Sequence, residues 1–125
     1  AWVDRTLAQL KDTPRVPMGI DELVVGTICG GSDATSGLTA NPAMGRAFDF
    51  LVEKNATCIF EETGELIGME HWMAERAENP GLGGEIVKTV AKAAKYYAIY
   101  GHASIGPGNA DGGLTTIEEK SLGAY

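Results

Sequence analysis

The stretch LVVGTICGGSDATSGLTANP, residues 23–42, decides the fold class of this chain. It begins with an apolar, β-branched run at residues 23–28, and this near-continuous hydrophobicity predicts a parallel strand that is covered on both faces. Small and polar residues follow, up to Asn41-Pro42, a pair that predicts a helix N-cap followed by proline at the first helical position. Strand, glycine-rich loop and helix in this order form the first half of a βαβ unit.

The segments on either side of this stretch complete the pattern. An amphipathic helix is expected at the start of the chain, ending before Pro14. Apolar periodicity predicts further helices over residues 43–54, 65–77, 85–100 and 114–122, and a second strand over residues 56–60. Strands that alternate with helices predict an α/β fold. We therefore expect a parallel sheet with flanking helices, Rossmann-like and three-layered, in a single domain over residues 1–125.

Composition excludes several classes of function. The chain has 125 residues, of which 17 are acidic and 10 basic, giving a formal charge of −7. No basic cluster is interleaved with aromatic residues, so nucleic acid and anionic membrane are not expected partners. No apolar run is long enough to span a bilayer, and the first residues do not resemble a signal peptide, which predicts a cytoplasmic protein. In that compartment Cys29 and Cys58 are expected to be free thiols.

Both predicted strands end in polar loops. Because ligands bind at the carboxyl ends of parallel strands, residues 29–41 and 61–65 are expected at one edge of the sheet. The first loop offers hydroxyl, carboxylate and amide groups to a polyol, from Ser32, Asp33, Ser36 and Asn41 among others. A tight structural turn explains the same residue types equally well.

The second loop gathers carboxylates. Glu61, Glu62, Glu65 and Glu70 lie within ten positions, and His71 follows directly. Such crowding should raise the pKa of at least one carboxyl group or be relieved by a cation, so a general base or a metal ligand is expected here. No HxxxH or HExxH spacing is present, and a solvated helix face or a surface histidine remains the alternative.

A third polar segment follows the long helix. Residues 106–113 are rich in glycine and lead into the last predicted helix, with Asn109 and Lys120 among the polar side chains. The ammonium group of Lys120 could neutralise a substrate carboxylate, or could pair with a neighbouring glutamate.

Three blocks of sequence, ICGGSDATSGLTANPAMG, FEETGELIGMEH and PGNADGGLTTIEEKSLGA, closely resemble, in this order, the altronate and galactarate dehydratase family of sugar-acid lyases. The resemblance implies elimination of water from a sugar acid such as altronate or galactarate, giving a 2-keto-3-deoxy acid. It also implies a divalent metal, with Fe²⁺ the first choice and Mn²⁺ or Mg²⁺ the others. Family members are much longer, so the chain is expected to be a central domain of such an enzyme, inactive in isolation.

The resemblance, added to the residue patterns, leads to a hypothesis for the site. The candidates for proton transfer are Glu62, Glu65, Glu70 and His71, those for metal ligation include Cys29 and His71, and those for substrate binding are Ser32, Asp33, Ser36, Asn41, Asn109 and Lys120. The expected partner is a small sugar acid, and a homo-oligomer is compatible with the sequence. Two alternatives stay open: a sulfolactate sulfo-lyase of the same family and a noncatalytic ligand-binding domain. A dinucleotide site ranks last because GxGxxG is absent.

Overall fold

A computed structural model describes residues 1–125 and confirms the α/β fold class. The helices are α1 (Trp2–Lys11), α2 (Ala40–Val52), α3 (Glu70–Glu75), α4 (Pro80–Ile99), α5 (Pro107–Asp111) and α6 (Ile117–Ala124). The strands are β1 (Val24–Thr27) and β2 (Thr57–Phe60), and single 3₁₀ turns occupy Ile20–Glu22, Ser36–Leu38 and Thr63–Leu66. No helix is both long and apolar enough to cross a membrane.

The sheet consists of the two strands, paired in parallel. The register places Val24 opposite Thr57 and Thr27 opposite Phe60. Parallel strands need a crossover connection, which α2 provides, and α2 packs against β2. The backbone N–H of Glu61 donates to the carbonyl of Thr27 at 3.2 Å, so the two chains remain side by side as they leave the sheet.

The prediction that β1 is covered on both faces is wrong. Val24 is 62% exposed and Phe60, at the end of β2, is 54% exposed. The buried apolar residues, Ala56, Val90 and Leu114, lie outside the strands. The physical reason is that α3 and α4 pack chiefly against each other rather than across the sheet.

The helix predicted over residues 65–77 is broken in two. Gly68 has φ of +90°, a left-handed conformation that interrupts an α-helix and that glycine adopts easily. The carboxylate of Glu70 accepts a hydrogen bond from the N–H of Gly68 at 2.7 Å. The acidic segment therefore forms a 3₁₀ turn followed by the short helix α3. Side chains of the turn and side chains of α3 consequently lie in different parts of the structure.

The predicted N-cap at Asn41 is also wrong, although an Asn-Pro pair does mark the start of another helix. Helix α2 starts at Ala40, and the side-chain amide of Asn41 donates instead to the carbonyl of Gly123 at 2.7 Å. The second Asn-Pro pair does cap a helix: Asn79 Oδ1 accepts from the N–H of Leu82 at 2.9 Å. Helix α4 consequently begins at Pro80, earlier than its apolar periodicity predicted.

The packing of α3 on α4 depends on a glycine, which leads to a testable prediction. A Cβ at Gly83 would lie 2.8 Å from the carbonyl oxygen of Ala74, whereas one at Gly84 would meet nothing within 4 Å. Gly83→Ala should therefore lower the free energy of unfolding by about 1–3 kcal/mol. Gly84→Ala, the control, should raise it by up to about 1 kcal/mol because alanine favours helix. Urea unfolding measures both, and shifts of the same sign would contradict the packing.

Candidate active site

A cavity of about 910 Å³ opens at the carboxyl ends of the two strands. Its wall includes the first glycine-rich loop, the start of α2, the segment after β2 and the end of α6. Six of the predicted site residues line it, namely Cys29, Ser32, Ser36, Asn41, Glu62 and Glu65. The two loops that were expected at one edge of the sheet thus share one cavity.

Three of these side chains come together at its wall. One ligand atom from each of Cys29, Glu62 and Glu65 lies within 4.8 Å of the others, and all three residues are half-buried. The strand register explains this contact. Thr27 is paired with Phe60, and Cys29 and Glu62 each lie two residues beyond that pair. We call these three residues the Cys29 cluster.

The backbone of Glu62 is unusual. Its φ of 66° and ψ of 70° lie in the left-handed region, which non-glycine residues rarely adopt. Its carbonyl accepts from the N–H of Glu65 at 2.8 Å, closing the 3₁₀ turn that brings the two carboxylates close together. Such backbone strain persists only where the surrounding structure enforces it, and it concentrates at functional sites.

Burial raises the pKa of the Glu62 carboxyl, and the adjacent carboxyl group of Glu65 raises it further. The positive charge of Lys120 opposes these effects. Lys120 Nζ lies 3.3 Å from Glu65 Oε1, and both side chains are largely buried, 7% and 14% exposed. That oxygen has no hydrogen-bond partner, so the contact is an ion pair without hydrogen-bond geometry.

The glycine-rich loop is held by the third polar segment. The side-chain amide of Asn109 donates to the carbonyl of Ser32 at 2.8 Å, and the N–H of Ala34 donates to the carbonyl of Gly112 at 2.9 Å. Ser32 in turn places its hydroxyl 3.2 Å from the sulfur of Cys29. Asn109 therefore holds the loop at Ser32, next to Cys29, and its role in substrate binding stays a prediction.

Asp33 stabilises the turn of the same loop. Its carboxylate accepts from the N–H and the hydroxyl of Thr35, each at 2.7 Å, and from the hydroxyl of Ser36 at 3.2 Å. The hydrogen bonds from Thr35 and Ser36 hold the pKa of Asp33 below its ordinary value. Asp33 is absent from the cavity wall, so the structure favours the structural reading of this residue over substrate binding.

The lowered pKa of Asp33 predicts a pH-dependent contribution to stability. A depressed carboxyl pKa stabilises the fold above the ordinary aspartate pKa, and the contribution disappears as the pH falls through the folded-state pKa. Asp33→Ala should therefore lower Tm at neutral pH, and the difference from wild type should vanish in acid. Asp12→Ala, at the end of α1, is the control. A constant difference across the pH range would contradict the assignment.

The remaining predicted residues lie elsewhere. Glu70 is engaged with the N–H of Gly68, and exposed His71 lines a second cavity of about 470 Å³ between α3 and α4. Lys120 does not line the main cavity; it donates to the carbonyl of Ser104 at 2.9 Å beside Glu65. The structure thus separates Glu70 and His71 from the Cys29 cluster.

The sequence patterns missed Arg76, which is the one basic side chain on the wall of the main cavity. Its guanidinium lies 5.3 Å from the ring centre of Tyr125, at the end of the described chain. Arg76 stands in a run of mixed charges on α3 and its neighbours, so nothing in its local sequence distinguishes it. Tyr125 follows α6, which packs against the segment after β2, whereas Arg76 follows α3, so only the tertiary structure brings the two side chains together at this cavity.

The sequence comparisons agree with one another. A family model described as D-galactarate/Altronate dehydratase, C-terminal, matches residues 20–125. The (2R)-sulfolactate sulfo-lyase subunit beta of Chromohalobacter salexigens is 43% identical over 87% of this chain and 29% of its own length. The galactarate dehydratase (L-threo-forming) of Escherichia coli is 40% identical over 97% of this chain and 24% of its own length. The altronate dehydratase of Bacillus subtilis is 36% identical over 90% of this chain and 23% of its own length. The chain therefore spans about a quarter of the length of these relatives.

Proposed function

Because the chain belongs to the D-galactarate/altronate dehydratase family, we propose that it carries part of the active site of a sugar-acid hydro-lyase. The substrate class is an aldonate or aldarate such as altronate or galactarate, and the product is a 2-keto-3-deoxy acid. The observation that carries this proposal is the Cys29 cluster on the wall of the cavity at the strand ends. The activity concerns the complete enzyme, and we expect the 125-residue chain alone to bind without turnover.

The proposed reaction is a β-elimination. Glu62 takes the proton α to the substrate carboxylate on a carboxylate oxygen, and the electron pair of that C–H bond forms the new double bond. The same proton then passes to the hydroxyl group leaving from the neighbouring carbon, which departs as water and restores the Glu62 carboxylate. The resulting enol becomes the 2-keto-3-deoxy acid. Glu62 is assigned this role because it lies at the cavity wall beside the other two members of the cluster.

The donor set fits a divalent metal ion. A cysteine sulfur and a carboxylate oxygen, from Cys29 and Glu65, would hold the ion, and the buried Glu65 Oε1 lacks a hydrogen-bond partner. The sulfur favours Fe²⁺ over Mg²⁺, which prefers oxygen ligands, and Mn²⁺ lies between them. When bound, such an ion would supply positive charge that stabilises the negative charge of the substrate carboxylate. His71 does not reach this group of donors.

Arg76 is the proposed anchor of the substrate carboxylate, since it is the one basic side chain that lines this cavity. Arg76→Gln should raise KM about 10- to 100-fold and change kcat less, because a charge-assisted hydrogen bond to the substrate is lost. Arg46→Gln is a matched control, since Arg46 is exposed and paired with Asp49. Steady-state kinetics of the complete enzyme measures both, and an unchanged KM in Arg76→Gln would contradict the role.

The test of the proposed function is a substrate screen with the complete enzyme. Altronate, galactarate and other hexonates are supplied with Fe²⁺, Mn²⁺ or Mg²⁺, and the keto acid is measured. Keto-acid formation that requires a divalent metal supports the proposal, and its absence from every sugar acid overturns it. Calorimetric titration of the 125-residue chain with the same acids, where turnover is not expected, tests the binding role of the isolated chain.

A second candidate is sulfite elimination from sulfolactate. It is favoured by the identity to the sulfo-lyase subunit beta, which is as high as that to the dehydratases. Both reactions begin by removal of a proton α to a carboxylate, and they differ in the group that leaves the neighbouring carbon. Release of sulfite from sulfolactate, with no keto acid from hexonates, would replace the first proposal by this one.

A further inference from the structure

Lys120 is buried although it carries a charge, and the proposed reaction does not use it. Its side chain is 7% exposed, and its ammonium donates to the carbonyl of Ser104 at 2.9 Å. The only carboxylate that it pairs with is Glu65, whose Oε1 is 3.3 Å away. Burying an ammonium is costly unless it is paired and hydrogen-bonded. The position of Glu65 and that of Lys120 are therefore tied to each other.

The contact with Lys120 holds the carboxylate of Glu65 beside the other two members of the Cys29 cluster. One ligand atom from each member lies within 4.8 Å of the others, and the ammonium of Lys120 lies 3.3 Å from Glu65 Oε1. A carboxylate held in this way keeps its oxygen in place for a cation.

We propose that Lys120 is a positioning residue for the metal site: it holds the carboxylate of Glu65 in place as a ligand of a divalent cation. The inference rests on the proposed metal site and deepens it. Groups beyond the ligands commonly orient them, and their loss weakens metal binding. A purely structural ion pair would affect folding but leave the metal environment as it is.

The experiment uses the complete enzyme with Co²⁺ as the metal probe. A cysteine ligand gives Co²⁺ a near-ultraviolet charge-transfer band, and its visible bands report the arrangement of ligands. Lys120→Met should weaken Co²⁺ binding about 10- to 100-fold and shift the visible bands. Lys120→Arg keeps the charge but moves it, so it should shift the bands with a smaller loss of affinity. Lys88→Met is the control, since Lys88 is exposed and paired with Glu85 on α4.

Several outcomes would overturn the inference. The first is an unchanged Co²⁺ affinity and spectrum in Lys120→Met. The second is tighter Co²⁺ binding in that variant, which would mean that the ammonium merely repels the cation. The third is failure of the wild-type enzyme to bind Co²⁺. If Lys120→Met does not fold, Lys120→Arg decides, and wild-type bands and affinity there count against it. The cobalt readouts do not require turnover. An enzyme with the expected cobalt results but no dehydratase activity would therefore sink the proposed function and leave the metal-site inference standing.

Discussion

Glu62→Gln should lower kcat of the complete enzyme about 100- to 10,000-fold, because the amide keeps the shape of the side chain but cannot take up the α proton. KM should change little, since Glu62 is assigned to proton transfer rather than to holding the substrate. The measurement is the steady-state rate of keto-acid formation at saturating metal. A loss of less than tenfold would remove Glu62 from the proton-transfer step.

Two further variants test whether Glu62 is catalytic while other residues of the acidic segment are not. Glu75→Gln makes the same change of charge on the exposed surface of α3 and should leave kcat unaltered. His71→Ala should also retain activity, because His71 lines the second cavity rather than the main one. Loss of activity in His71→Ala would restore this residue to the mechanism and contradict the separation of the two cavities.

The second large effect is expected at the contact between the glycine-rich loop and α6. A Cβ at Gly37 would lie 2.5 Å from Gly123 Cα, which is backbone and cannot rotate aside. Gly37→Ala should therefore lower the free energy of unfolding by about 1–3 kcal/mol, the usual cost of overpacking. Denaturant unfolding of the purified protein measures the change.

Gly45→Ala is the matched control for this contact. Gly45 lies inside α2, where an added Cβ would meet nothing within 4 Å. The substitution should raise the free energy of unfolding by up to about 1 kcal/mol, because alanine favours the helix. Equal and small effects at Gly37 and Gly45 would show that the loop and α6 are not in close contact.

These predictions share a structural origin in α6 and the segment before it. Asn41 donates to the carbonyl of Gly123, Asn109 donates to the carbonyl of Ser32, and Lys120 is paired with Glu65. Each contact joins the third polar segment or α6 to one of the loops at the strand ends. The third polar segment and α6 therefore hold the loops that carry the Cys29 cluster, and the substrate contacts expected of Asn109 and Lys120 stay a prediction.

The sequence by itself determined the α/β class, the two strands and the edge of the sheet where the candidate site lies. These features depend on local propensities and on a simple rule, that parallel strands bring their carboxyl ends together. The same rule predicted that Cys29 and the acidic segment lie at one edge of the sheet. The observed register then shows that Cys29 and Glu62 each lie two residues beyond a paired position.

Only the tertiary structure decided which carboxylates join Cys29, where Lys120 lies and how open the sheet is. A left-handed Gly68 splits the acidic segment, so that Glu62 and Glu65 remain at the cavity while Glu70 and His71 leave it. Lys120 forms its ion pair with Glu65 rather than with a glutamate close to it in sequence, because α6 packs on the 3₁₀ turn at Thr63–Leu66. Such contacts depend on how elements distant in sequence pack together, and a local pattern of residues does not predict this packing.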